Sequence, residues 1–202
     1  MITLMNHTNK RSLKSFILLI GLLLPGLLNA QAYTSNGNAK IVVEGTSNIH
    51  DWTLTSTAGN CTGSFIMDGS GNITGLNNLG FAMSVNTLKS THGSTMDNNT
   101  YKAMDAEKYP TIKFSSASVM VKSNGGGNYT ITAPGKLTIS SGVKDVTLVA
   151  AGKMNSDKSV IINGSYKLVT TDYNVKPISI MLGAIKTKAD VTVNYTLTMK
   201  PQ

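Results

Sequence analysis

Acidic side chains are scarce in this 202-residue chain: ten Asp and Glu stand against eighteen Lys and Arg. No pair or cluster of carboxylates stands out for general acid–base work, and no G-x-S-x-G elbow offers a nucleophile. Cysteine is reduced to Cys61 alone, which excludes an internal disulfide. It reads as a small buried hydrophobe. Aromatics make up only 6% of the chain, with Trp52 the single tryptophan. The basic excess is dispersed, since nothing is denser than Lys186-Thr187-Lys188. A nucleic-acid binder needs a basic stripe with stacking aromatics, so that class is set aside. A weak attraction to anionic membrane surfaces or phosphate head groups is the remaining reading of the charge.

A membrane-spanning apolar run is missing as well. Residues 16–28 are almost uninterruptedly apolar, but a span needs about 20 such residues. Lys10, Arg11 and Lys14 precede the run, Pro25 and Gly26 break it, and Ala30-Gln31-Ala32 supplies the small residues of a cleavage site. Residues 1–32 are therefore predicted to be a signal peptide, with the exported chain beginning at Gln31 or Tyr33. No cysteine lies near that junction to take a lipid anchor, so the expectation is a periplasmic or secreted protein that is not a lipoprotein. Residues 33–202 then form one domain, holding fifteen basic and ten acidic residues, a balance of +5.

What is abundant is β-strand pattern. Thr, Val, Ile and Tyr alternate with polar residues at period two. This predicts strands over 39–44, 51–56, 61–67, 79–88, 111–121, 129–132, 135–139, 145–151, 160–169 and 190–199. Gly, Asn, Asp and Ser fill the breaks, as tight hairpins require. Such a meander closes into a barrel or folds as a sandwich. One stretch, 95–107, reads instead as a short helix. In that reading Asp97 caps the start, Tyr101 and Met104 share a face, and Pro110 ends it.

The strands divide into faces. Leu79, Phe81, Met83 and Val85 share one, Ile112, Phe114 and Ser116 another, and Val191, Val193, Tyr195, Leu197 and Met199 a third. An eight-stranded barrel is just wide enough to be filled by side chains or to hold one small ligand. Periodicity leaves a filled core and an open lumen equally open. The polar candidates are weaker. His50 and His92 lie 42 positions apart, which argues against zinc. Ser141-Gly142-Val143-Lys144 matches S-x-x-K, but in a hairpin turn rather than on a helix. Asp68-Gly69-Ser70-Gly71-Asn72 reads as a turn, without the spacing of a calcium loop. Lys176, Lys186 and Lys188 are candidates to meet a phosphate head group or are simply solvated.

Several phrases occur in one order along the chain. They are Gly45-Thr46-Ser47-Asn48-Ile49-His50-Asp51-Trp52, then Thr62-Gly63-Ser64-Phe65. Next comes Met96-Asp97-Asn98-Asn99-Thr100-Tyr101-Lys102-Ala103-Met104, leading to Tyr109-Pro110-Thr111-Ile112-Lys113-Phe114. Gly135-Lys136-Leu137-Thr138-Ile139 and Gly142-Val143-Lys144-Asp145-Val146-Thr147-Leu148 follow, with closing strands over 168–173 and 190–197. In that order, over residues 38–200, they resemble the YceI-like family. Asp145 departs from it, standing where a Pro commonly follows the Lys.

The resemblance implies an all-β fold, a lipocalin-like extended antiparallel β-barrel with one short helical insertion and an elongated apolar tunnel. It implies binding of a polyisoprenoid or other long-chain lipid, chain inside and polar head near the mouth. Trp52, Phe65, Phe81, Met83, Met104, Phe114 and Tyr166 combine bulk with family-like positions and are the expected tunnel lining. His50 and Lys186 are the expected head-group contacts. The expectation is thus a non-catalytic carrier without cofactor or metal, in transient contact with a membrane surface. The alternatives are a filled structural barrel and a lipid-acting enzyme using Ser141, Lys144 or His50. An imperfectly closed edge would leave homodimerisation open.

Overall fold

The structure is a computed structural model and describes residues 29–202. The leader expectation thus falls, up to residue 28, outside the described residues. The strands are β1 (Asn29–Thr34), β2 (Ala39–Ser47), β3 (Asp51–Ser56), β4 (Asn60–Met67), β5 (Ile73–Ser84) and β6 (Lys89–Ser90). The helix α1 (Ser94–Ala103) follows, then β7 (Thr111–Gly125), β8 (Asn128–Ile139), β9 (Gly142–Met154), β10 (Val160–Val169), β11 (Ser179–Ile180) and β12 (Ile185–Pro201).

Eight strands run round a ring in the order β1-β4-β5-β7-β8-β9-β10-β12, all antiparallel to their neighbours. The ring closes where β1 meets β12 through Tyr33–Pro201 and Thr34–Lys200. β12 is 17 residues long, and two strands share its far edge. Its last residues pair with β1, and the preceding ones, from Thr187 to Leu197, pair with β2. From β2 the ladder passes to β3 and then to β6. This three-strand leaf carries the wall on beyond the reach of β1, and α1 follows it. The chain is an all-β, lipocalin-like antiparallel barrel with one short helix, as the family resemblance implies; the alternating strands left a sandwich equally open.

The two ends differ in packing. At the end closed by β1, Tyr33, Phe65, Ile73, Leu76, Val160 and Met199 are completely buried. Tyr33 and Phe65 meet edge to face with ring centroids 4.8 Å apart, the arrangement favoured by aromatic quadrupoles. The Tyr33 hydroxyl donates to the Lys158 carbonyl at 3.0 Å, and the Tyr129 hydroxyl accepts the Ile73 N–H at 3.3 Å. Buried polar groups are thus paired and the end is a solid plug.

Several expected boundaries move, each for a physical reason. The stretches 129–132 and 135–139 are one strand, β8. Pro134 lacks an N–H, but it lies where β7 bulges between Ser115 and Met120, so no ladder bond is lost. The Ser116 hydroxyl donates to the Pro134 carbonyl at 2.6 Å. The strand expected over 79–88 begins earlier, at Ile73, and ends at Ser84, with a 3-10 turn over Val85–Thr87. Asn78 is left-handed (φ 51) at a bulge against β4, which hid the strand's first half behind an Asn-Asn pair.

The helix is shorter than expected and is framed differently. Pro110 does not end it. Asp105 turns left-handed (φ 50), and its N–H donates to the Lys102 carbonyl at 3.1 Å while the Ala106 N–H donates to Tyr101 at 2.9 Å. That is a Schellman closure with Asp in the place usually held by Gly. Nor does Asp97 cap the start, which follows Gly93 without a side-chain cap. The Asp97 carboxylate instead accepts the Ser90 N–H at 2.7 Å and lies 3.5 Å from Lys89 Nζ. Tyr101 and Met104 also part company. The Tyr101 hydroxyl is 2.8 Å from the Leu88 carbonyl and accepts from Lys89 Nζ at 2.7 Å, whereas Met104 turns inward.

Candidate functional site

Beyond the plug the barrel is hollow. The space open to the centres of water-sized spheres is about 220 Å³. Inward residues of nine strands and of α1 line it, almost all of them apolar. An apolar cavity of this kind offers water few partners. Alternation produces the lining: Ile41 and Val43 on β2, Leu137 and Ile139 on β8, and Val191, Val193, Tyr195 and Leu197 on β12 point in, while intervening residues point out. From α1, Met96, Thr100, Ala103 and Met104 face the lumen, a helical stripe of i, i+4, i+7, i+8.

Four aromatic rings lie flat against this wall because glycines leave room for them. A Cβ on Gly45 would sit 2.2 Å from the Trp52 ring, and one on Gly164 would sit 2.2 Å from the Tyr195 hydroxyl. Cβ atoms on Gly59 and Gly135 would come within 2.6 Å of Phe81 and 2.8 Å of Phe114, respectively. Gly45 and Trp52 are cross-strand partners, as are Gly164 and Tyr195. All four rings line the cavity. A ring folded over a cross-strand glycine spares the lumen the volume it would otherwise take, and covers exposed backbone. Trp52 is fixed further by its indole N–H, which donates to the Thr46 carbonyl at 3.2 Å.

The charged residues of the lining are at the mouth. Lys176, Thr187 and Lys188 join Tyr173, Pro177 and Ile178 there. Burial, followed by the neighbouring Tyr166 and Asp172, pushes the Tyr173 hydroxyl up to about 12. Burial alone pushes the Cys61 thiol on the inner wall up to about 12. Both groups are protonated and uncharged at neutral pH, which keeps the interior without anions.

Six of the seven expected lining residues come together here: Trp52, Phe81, Met83, Met104, Phe114 and Tyr166. Phe65 does not, because it faces Tyr33 in the solid plug. Neither His50 nor Lys186 is among the lining residues. His50 is exposed in the β2–β3 turn, its Nδ1 2.8 Å from the Asp51 carbonyl. Its ring stacks on that of His92 at 4.8 Å, so sequence separation was a poor guide to their distance. Among the described residues no set of three His, Cys, Asp or Glu side chains converges as a metal site. The Ser141 hydroxyl accepts from Asn174 Nδ2 at 3.0 Å in a hairpin turn. Asp68 accepts the N–H groups of Ser70 and Asn72, each at 2.9 Å, within its own turn. Sequence reasoning missed most aliphatic lining and the glycines beneath the rings. The first was signalled by alternation, whereas the second depends on cross-strand register.

Comparison with known proteins agrees with this architecture. The model of the YceI-like domain matches residues 34–199. Among solved structures, the chain is similar to BcnA of Burkholderia cenocepacia at 18% identity and a TM-score of 0.55, covering 80% of this chain and 96% of that one. It is also similar to a polyisoprenoid binding domain from Saccharophagus degradans, implicated in plant cell wall breakdown, at 9% identity and a TM-score of 0.62. That match covers 86% of this chain and all of the other. A search of curated proteins returns no match. The family match spans nearly the whole described barrel, and on that ground the chain belongs to the YceI-like family.

Proposed function

We propose that this protein is an exported carrier that sequesters a long-chain apolar lipid, a polyisoprenoid or related amphiphile, in the barrel. The observation that carries the reading is the hollow apolar lumen beside a solid plug, with the charged residues of its lining, Lys176 and Lys188, at the mouth. A chain entering this space gains about 0.8 kcal/mol per buried methylene without any charged anchor. Lys176 and Lys188 stand where a polar or anionic head would remain. The structural neighbour described as a polyisoprenoid binding domain supports the same ligand class. The N-terminal pattern of residues 1–32 supports export, so the partners are the lipid and the membrane that supplies or receives it. Binding alone accounts for this site, with no catalytic step.

Trp52 emission reports on the site directly, since it is the only tryptophan and lines the cavity. Titration with a polyprenol series is expected to change the emission with affinity rising as the chain lengthens. Ala133, a buried lining residue on β8, tests the location. Ala133→Phe is expected to fold and to lose the response. An unchanged response in Ala133→Phe, or affinity independent of chain length, would count against binding in the lumen.

A further inference from the structure

Of seven large hydrophobic residues exposed among the described residues, three gather at one place beside the mouth: Ile49, Met181 and Leu182. Leu182 is fully exposed and Met181 is 73% exposed. Both are held in the left-handed region (φ 53 and 54), with Gly183 following at φ 93. Two successive bulky residues rarely adopt that conformation, because Cβ crowds the carbonyl. Here the backbone strain presents two apolar side chains to solvent. Asn48 clamps the β2–β3 turn, which bears Ile49, to this tip. Its Nδ2 donates to the Ala184 carbonyl at 2.8 Å, and its Oδ1 accepts the Lys186 N–H at 2.8 Å. The same segment runs on into the mouth through Lys176, Pro177, Ile178, Thr187 and Lys188.

Charge within the segment that forms this tip has one sign, although Lys188 shares a surface hollow with Glu44, Asp51 and Asp190. Residues 173–189 contain Lys176, Lys186 and Lys188 and no Asp or Glu. Asp172 and Asp190 flank the segment, and Asp51 lies at the base of the adjoining turn. None of the three lysines is in a salt bridge among the described residues. An apolar tip on a lysine-bearing segment is the composition that partitions into the head-group region of an anionic bilayer.

We propose that the mouth docks on the surface of an anionic phospholipid bilayer, with Met181 and Leu182 entering the interface and Lys176, Lys186 and Lys188 facing the phosphates. This rests on the carrier reading, because docking at the mouth lets a lipid pass between bilayer and lumen without crossing water. Sedimentation of the purified exported chain with vesicles tests it, using phosphatidylcholine with and without phosphatidylglycerol. Binding is expected with phosphatidylglycerol, and it weakens as salt rises. The double variant Met181→Ser/Leu182→Ser and the single variant Lys186→Glu are each expected to lose roughly tenfold or more in vesicle affinity. Both are surface changes outside the lumen, so polyprenol titration of Trp52 is expected to be unaltered in them. No binding of the unsubstituted protein to anionic vesicles, or equal binding by the double variant, would overturn the docking face. So would a dimer in solution that dissolves in the double variant while vesicle binding is absent, since the tip would then cover a second copy. If vesicles bind as described but no polyprenol enters the lumen, the carrier reading fails, and the transfer role of the docking face fails with it.

Discussion

Trp52 shows how much a single contact decides in this barrel. Its indole lies on Gly45 so closely that an alanine there has no room without moving the ring. The neighbouring lumen is where the ring would go. Gly45→Ala is therefore expected to cost roughly 1–3 kcal/mol, as overpacking does. It is also expected to shift Trp52 emission and weaken polyprenol binding, which a denaturant titration and a ligand titration together would show. Unaltered stability and emission would mean that the glycine is not what makes room for the ring. Cys61 gives a second prediction at this scale. Its thiol is buried on the wall and pushed up to about 12 by desolvation, and reactivity follows the thiolate. The folded protein should resist a thiol reagent at neutral pH and react stoichiometrically once denatured. Residue identities were only partly legible in the sequence. Bulk and family-like position identified Trp52, Phe81, Met83 and Phe114 as inward. They identified Phe65 equally, because a plug and a lumen both need apolar inward side chains and only the three-dimensional end of the barrel separates them.

The helix and the two-residue strand before it act as one element. Asp97 carries the link, accepting the Ser90 N–H and facing Lys89. The Lys89 contact is mostly solvated and contributes little. Removing the acceptor in Asp97→Ala leaves the Ser90 N–H without its protein partner, at an expected cost of about 1–3 kcal/mol. Hydrogen exchange should then quicken over α1 and β6 while β8 and β9 stay protected, and uniform quickening would contradict a local link. At the other end of the helix, Asp105 occupies a left-handed position that suits glycine. Asp105→Gly is expected to raise stability by roughly 0.5–1 kcal/mol in thermal unfolding. Strand existence was legible throughout this region, and β3 and β10 coincide with their expected ranges. Boundaries failed where tertiary context overrides local signals, at the bulge that accommodates Pro134 and at left-handed Asn78. β1 went unread for another reason. Its residues overlap the small-residue motif that reads as a cleavage site, and its partner strands lie far along the chain.

At the scale of the whole molecule, a ring closed by β1 and filled at one end leaves the other end free to be hollow. Stability should respond to pH at both extremes. Cys61 and Tyr173 have folded values raised from 9.0 and 10.0 to about 12. Their contribution is complete below pH 9 and is lost as pH rises toward 12, because the unfolded chain releases those protons first. Asp68 and Asp157 run the other way. Hydrogen bonds from Asn72 and from Ser159 hold them below their ordinary 3.8, so their contribution is present at neutral pH and disappears as acid protonates them. Thermal melts across pH should show a fall above pH 9 that is smaller in Cys61→Ala. A Cys61→Ala curve parallel to the original would remove the thiol from this account. Fold class was legible from the ordered phrases and alternating strands, whereas the hollow lumen was not, since volume is a property of the closed ring. Whether that lumen carries a lipid is tested most directly by native mass spectrometry of the purified protein, before and after organic extraction. An added mass that solvent removes and that fragments as an isoprenoid or fatty-acyl chain is expected. A mass equal to the bare polypeptide, unchanged after incubation with isoprenoid and acyl lipids, would contradict it.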